Sequence, residues 1–219
     1  MRLTKSEIAI AVIVLLLFAI GGYFYPRMPE RIASHWNAQG QVDGYMSKFW
    51  GLFLLPFISF ILSLFLILIP KIDPLRANIE RFKKYYYRFI MLIILFLFYL
   101  YILTILWNSG IRFNMLQFLA PAFGIIFYYC GVLIEKTKRN WFIGIRTPWT
   151  LSSENVWDKT HKIGGKLFKL AGVAALLGVF LPGYAVFLLI IPAILAAVYT
   201  VLYSYIEYQK EIKGQRAGF

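Results

Sequence analysis

Six apolar runs, at residues 8–25, 50–69, 89–107, 115–134, 167–181 and 184–205, constrain this chain more than any other feature. A bilayer's hydrocarbon core takes about 20 apolar residues of helix, and five of the runs come close to that length. Within lipid every backbone N–H and C=O must be satisfied internally, which leaves helices or closed barrels. The runs lack the alternation of apolar and polar residues that barrel strands show, so helices are expected. Composition agrees: 60% of residues are hydrophobic and 15% charged, against about 25% charged in soluble domains. The expected fold is therefore all-α, a single integral membrane domain over residues 1–219 with six transmembrane helices. The fifth run is the shortest and contains Lys169, whose stem must reach back to the headgroups; Ile163 and the pair Gly164-Gly165 lie where they could extend it. Arg2 and Lys5 before the first run, and Ala19-Ile20-Gly21 within it, resemble a signal peptide with its processing site. That run exceeds the usual apolar core of a signal peptide, which favours an uncleaved span.

Basic residues set the orientation. Nineteen Lys and Arg fall in the N-terminal tail, the second connection, the fourth connection with its flank at Lys169, and the C-terminal tail, whereas Arg27, Arg31, Lys48 and Arg112 fall on the other side. Both termini are thus expected in the cytoplasm. Residues 26–49 become an extracellular motif loop and residues 135–166 a cytoplasmic one. The net charge of +13 then reports topology and attraction to the lipid bilayer; no recognition helix or RNA-binding motif accompanies it, so no direct nucleic-acid partner is expected. Cys130 is the single cysteine and lies inside the fourth run, so no intrachain disulfide is possible.

No Asp or Glu lies inside any run. Ion-coupled transporters place ionisable groups at mid-membrane because their chemistry demands them, so this absence argues against a pump. Pro56, Pro121 and Pro192 lie inside the second, fourth and sixth runs as potential kinks. Ala171 and Ala175, Ala174 and Gly178, and Ala193 and Ala197 are spaced for close helix approach. Pro182-Gly183 makes a tight turn that sets the last two helices antiparallel.

The polar stretch NWFIGIRTPWTLSSENVWDKTHKIGG at 140–165 stands apart from these runs. Ser152 or Ser153 suits a helix cap, with Glu154 in the first turn. Glu154, Trp157, Asp158 and His161 then share one helical face. Three uses of that face stay open: a metal site, a partner surface, or a clasp onto Arg146 or Lys138. The spacing lacks the HExxH pattern, so no metal is assigned. Arg146 lies between Gly144 and Pro148 and is flanked by Trp141 and Trp149; it is placed to stack on an aromatic ring or to pair with Glu154 or Asp158. In the other motif loop, residues 29–36 are expected as a short interfacial helix and 37–44 as a turn with Gly40 and Gly44. His35, next to Trp36, is expected to bond Asp43.

The stretch at 140–165, with Trp141, Gly144, Arg146, Thr147, Pro148, Trp149, Glu154, Trp157, Asp158 and His161, resembles the signature of the SdpI family. Its members are bacterial membrane proteins that protect a cell against a secreted peptide toxin. PERIASHWNAQGQVDGYMSK at 29–48, with Pro29, His35, Trp36, Asn37, Gly40, Asp43 and Lys48, resembles the small domain of unknown function that precedes that signature in many members. The resemblance implies resistance to a secreted, membrane-active peptide as the function. It also implies a possible cytosolic partner, a transcriptional repressor held at the cytoplasmic loop. Neither a cofactor nor catalysis is implied.

Two other readings follow from the residues. A small-molecule or lipid transporter without ion coupling would use inverted three-helix halves about Gly110 and a polar cavity near Ser59, Ser63, Thr104 and Thr200. A membrane enzyme would hold a metal at Glu154, Asp158 and His161. Catalytic templates are otherwise missing: there is no nucleophile elbow and no phosphate-binding Gly loop, and His35 and His161 fall on opposite sides of the membrane.

Overall fold

The computed structural model describes residues 4–217, so Arg2 of the charge count lies outside the described residues. Helix α1 (Lys5–Phe24) opens on a reciprocal cap: the Thr4 hydroxyl accepts from the Glu7 N–H, and the Glu7 carboxylate accepts from the Thr4 N–H at 2.7 Å. A short 3-10 turn leads into strands β1 (Arg31–Trp36) and β2 (Val42–Ser47). Then come α2 (Lys48–Ile72), the short α3 (Arg76–Glu80), α4 (Lys83–Asn108) and α5 (Met115–Lys136). The chain ends with the short α6 (Pro148–Ser152), α7 (Glu154–Leu177) and α8 (Ala185–Ala217).

Among the described residues five helices are long and apolar enough to cross a membrane: α1, α2, α4, α5 and α8. The expected fifth span, residues 167–181, falls largely in α7, which does not meet that standard. Its first half carries Asp158, Lys159, Lys162 and Lys166, and the apolar stretch begins at Leu167. The signature segment and the fifth run thus form one continuous helix, because nothing between Glu154 and Leu177 breaks it; the Gly164-Gly165 pair sits inside the helix.

The all-α expectation fails at one place. Residues 31–47 form an antiparallel hairpin, where a short interfacial helix was expected for 29–36. Two features override the helix. The Asn37 side chain closes a turn by accepting from the N–H groups of Gln39 (3.0 Å) and Gln41 (2.9 Å), and Gly40 takes φ +76°, a conformation that favours glycine. The Asn108 amide then pairs with both backbone groups of Ala33, at 2.8 and 3.0 Å, taking the place of a neighbouring strand along β1.

The helices form two groups of three. Helices α1, α2 and α4 pack on one another, as do α5, α7 and α8, and α4 against α5 joins the groups. The first group closes around Ile10, Val14, Ile79, Phe82, Ile90 and Ile94, all buried. In the second, α5 and α7 approach through glycines seven residues apart. A Cβ on Gly131 would stand 2.4 Å from the Gly165 carbonyl, and one on Gly172 would stand 2.6 Å from the Gly124 carbonyl. Lipid offers no hydrophobic drive between helices, so such backbone proximity supplies the dispersion contact that holds them. Pro56, Pro121 and Pro192 all lie within continuous helices.

Candidate functional site

The hairpin precedes α2 and the signature segment meets its far end, so α2 separates the two motifs along the bundle. The junction is a single carboxylate. Asp73, 2% exposed after the last turn of α2, accepts from the Leu75 N–H (2.6 Å) and from the Trp141 N–H (2.9 Å). Asn78 of α3 adds a bond to the Arg139 carbonyl at 2.8 Å.

Within the signature segment a buried Asn140 holds the first turn. Its amide donates to the carbonyls of Lys138 and Ile143, and its oxygen accepts from Phe142 and Ile143 N–H. Every polar group of that side chain is therefore partnered, as burial requires. Next comes Gly144, at φ +110°, where a Cβ would stand 2.5 Å from His161 Nε2. The close approach lets the following Ile145 N–H donate to His161 Nε2 at 3.0 Å. Since Nε2 accepts, the proton sits on Nδ1, which donates to the Trp157 carbonyl at 2.8 Å. His161 is 1% exposed and stacks on the fully buried Trp157 at 3.9 Å between ring centroids. Burial holds its pKa down to about 4, so the ring is neutral and both nitrogens are engaged.

That geometry divides the expected common face. Trp157 and His161 point into the protein, and Trp157 Nε1 donates to the Thr137 carbonyl at 3.2 Å. Glu154 and Asp158 stay exposed and pair with Arg139 (3.5 Å) and Lys138 (3.2 Å). The clasp therefore uses Lys138, with Arg139 in the place expected for Arg146. Arg146 is exposed and donates to the Trp141 carbonyl at 2.7 Å, closing the loop that Gly144 turns. A metal site at Glu154, Asp158 and His161 does not fit this arrangement, because His161 has no free lone pair and faces away from the carboxylates.

The remaining signature residues anchor the segment to α8, at and just beyond the end of the sixth apolar run. Thr147 caps α6 with Pro148 at its first position, and its hydroxyl meets Ser204 at 3.0 Å in a buried contact. Trp149 packs edge-on against Tyr205 at 5.1 Å. Ser153, one of the two expected caps, accepts from the Val156 N–H and itself bonds Glu211 (3.0 Å), which Asn155 also reaches. Lys159 meets the buried Glu207 at 3.0 Å. Lys169 does not need to reach the headgroups alone, since it pairs with Glu135 of α5 at 2.6 Å. None of these partners on α8, nor Asp73, was singled out in the sequence.

At the hairpin end, His35 Nδ1 lies 2.5 Å from Asp43 in an exposed pair, and Lys48 pairs with Glu30 at 2.6 Å. Pro29 is exposed and precedes β1. Gly40 leans on Asn114, the residue that caps α5. Trp36 packs edge-on against Trp107 at 5.6 Å, and the Arg112 guanidinium lies 3.6 Å above Trp107. Under this hairpin lies a cleft of about 280 Å³, whose deep wall is Leu54, Leu55, Leu100 and Leu119. Thr104 joins that wall, but its hydroxyl is turned back on the Leu100 carbonyl. Ser63 and Thr200 likewise donate within their own helices. The hydroxyls expected to line a transport path thus serve their own backbones, with Ser59 buried and unpartnered.

Comparison with known proteins places both motifs. Residues 136–204 match the SdpI/YfhL protein family, and residues 12–60 match a domain of unknown function designated DUF1648. The chain is 28% identical over 215 residues, 97% of its length, to the whole of Immunity protein SdpI of Bacillus subtilis (strain 168). No solved structure matches it. The SdpI/YfhL match begins at the end of α5 and closes at Ser204, so it takes in the Asn140 turn, the Gly144–His161 contact and the Thr147–Ser204 contact. With its five apolar helices and this family segment, the chain is a multi-pass membrane protein.

Proposed function

We propose that this multi-pass protein with an SdpI/YfhL segment is a membrane immunity protein, which protects the cell that makes it against a membrane-active peptide. The observation that carries the reading is the end-to-end similarity to a protein named for immunity, with both motifs inside the aligned length. The absence of Asp and Glu from the apolar runs and the backbone-bonded hydroxyls favour this reading over a transport path.

In this proposal the apolar half of α7 crosses as a short sixth span, so that both termini and the signature segment face the cytoplasm and the hairpin faces outward. The distribution of Lys and Arg supports that sidedness. The Lys169–Glu135 pair supports a crossing that begins near residue 167, because it neutralises the single charge within the apolar stretch. A peptide arriving from outside would meet the hairpin first. Trp141, Arg146 and Glu154 form the exposed part of the inner segment and would face a cytosolic protein, a repressor in the signalling version of the reading.

Expression in cells sensitive to the toxin of the Bacillus subtilis relative tests immunity. Survival should rise over cells carrying the empty vector. Unchanged killing at verified membrane expression would remove the reading for that toxin. Retention of a cytosolic repressor at the membrane, lost on Trp141→Ala with Arg146→Ala, tests the signalling part separately.

A further inference from the structure

The cleft under the hairpin has three properties that no structural role explains. It is open and apolar within, although Trp36, Met46 and Ser34 of the hairpin roof it. Trp36 Nε1–H is buried beside it without an acceptor. A buried donor without a partner loses its bond to water and gains nothing in exchange, so the site is poised to receive a hydrogen-bond acceptor. Finally, the strand that bounds the cleft is an edge: the sheet order is β1–β2, β1 has its outer side occupied by Asn108 at Ala33, and β2 has no second strand beside it among the described residues.

Neighbouring residues on adjacent strands point to the same face of a sheet. A chain added along β2 at Met46 therefore directs a side chain to the face that Met46 presents, which is the cleft. We propose that this cleft and the free edge of β2 together dock an extended, uncharged apolar peptide segment: its backbone pairs with β2, one apolar side chain enters between Leu54 and Leu119, and a carbonyl accepts from Trp36 Nε1. A phospholipid acyl chain would fill the apolar volume, but it has no use for a strand edge. That difference selects the peptide. The docked class rests on the immunity reading only in taking the hairpin as outward-facing; binding itself is measurable without any toxin.

The test uses the full-length protein in phosphatidylcholine–phosphatidylglycerol nanodiscs. The probe is an acetylated, amidated eight-residue peptide of alternating Val and Thr with a central p-benzoylphenylalanine. Photolysis should give saturable labelling confined to Met46, Leu54, Leu119 and their neighbours, read by peptide mass spectrometry. Leu119→Trp fills the cleft and should reduce labelling at least tenfold. Tyr45 stands opposite Ala33, whose backbone groups face outward to Asn108, so Tyr45→Pro removes an N–H from the free edge of β2 and should also reduce it; Leu54→Phe gives a second, milder filling should either variant fold poorly. Labelling spread over the lipid-facing helices and unaffected by the three variants would overturn the proposal. So would a co-purified phospholipid that occupies the cleft and resists the peptide. Failure of immunity in the survival assay with labelling intact would reject the function while leaving the docking site standing.

Discussion

Replacing Gly144 with Ala probes the buried joint of the signature segment. Two separate costs follow from the structure. At φ +110° an L-residue is strained, which costs about 1–3 kcal/mol. The new methyl would also stand 2.5 Å from His161 Nε2, so the ring or the loop must move, and the Ile145 N–H bond to that nitrogen is lost. A buried group left unpaired costs about 1–3 kcal/mol more. The sum, about 2–6 kcal/mol, is comparable with the whole stability of many domains. Gly110→Ala supplies the control: Gly110 also has positive φ, +100°, but nothing lies within 4 Å of its Cβ position. It should show the strain alone. Thermal unfolding in detergent, followed by size-exclusion fluorescence and by trypsin cleavage at Lys138 and Arg139, compares the two. Gly144→Ala should melt clearly below Gly110→Ala and be cut faster in the segment. Equal melting temperatures for the two variants would refute the claim that the Gly144–His161 contact holds the joint.

His161 gives a pH dependence of definite sign. Its folded pKa, about 4, lies below the unfolded value near 6.5, so the unfolded state binds the proton first as pH falls. Stability contributed by the neutral ring is present above about 6.5 and is lost progressively down to about 4, on the order of 3 kcal/mol in all; His161→Gln should flatten that part of the melting profile. Gly131→Val drives a side chain into the Gly165 carbonyl and Lys169 and should separate α5 from α7, seen as loss of a disulfide engineered across the two helices. Asn108→Ala removes both bonds to Ala33, so the hairpin should gain protease sensitivity while the signature segment does not.

Five of the six expected spans were legible because lipid imposes one rule on every residue of a run. All six runs coincide with helix, with ends shifted by a few residues where polar caps such as Thr4 and Asn114 lie outside the apolar count. The signature segment was legible as a folded unit because Ser153, Gly144 and Pro148 carry local signals. Its partners were not. Asp73, Ser204 and Glu211 act across long stretches of chain, and their residue types alone do not announce a contact. Arg146 attracted attention by its flanking tryptophans, yet Arg139 lies nearer to Glu154 once Gly144 has turned the chain. The hairpin was missed because its decisive bond comes from Asn108, 75 residues along the chain from Ala33; the Asn37 and Gly40 turn was the available sign. Gly124 and Gly131, and Gly165 and Gly172, are each seven residues apart, a spacing that marks the α5–α7 approach where the alanine pairs do not.

Sidedness decides the account, and single cysteines at Gln39, Ser152 and Gln215 in a Cys130→Ser background, probed on intact cells with a membrane-impermeant maleimide, measure it directly. Gln39 in the hairpin turn should be labelled, while Ser152 beside α6 and Gln215 at the end of α8 should react only after the membrane is opened. Labelling of Gln215 from outside would show that α7 does not cross, and labelling of Ser152 would put the signature segment on the wrong side of the membrane.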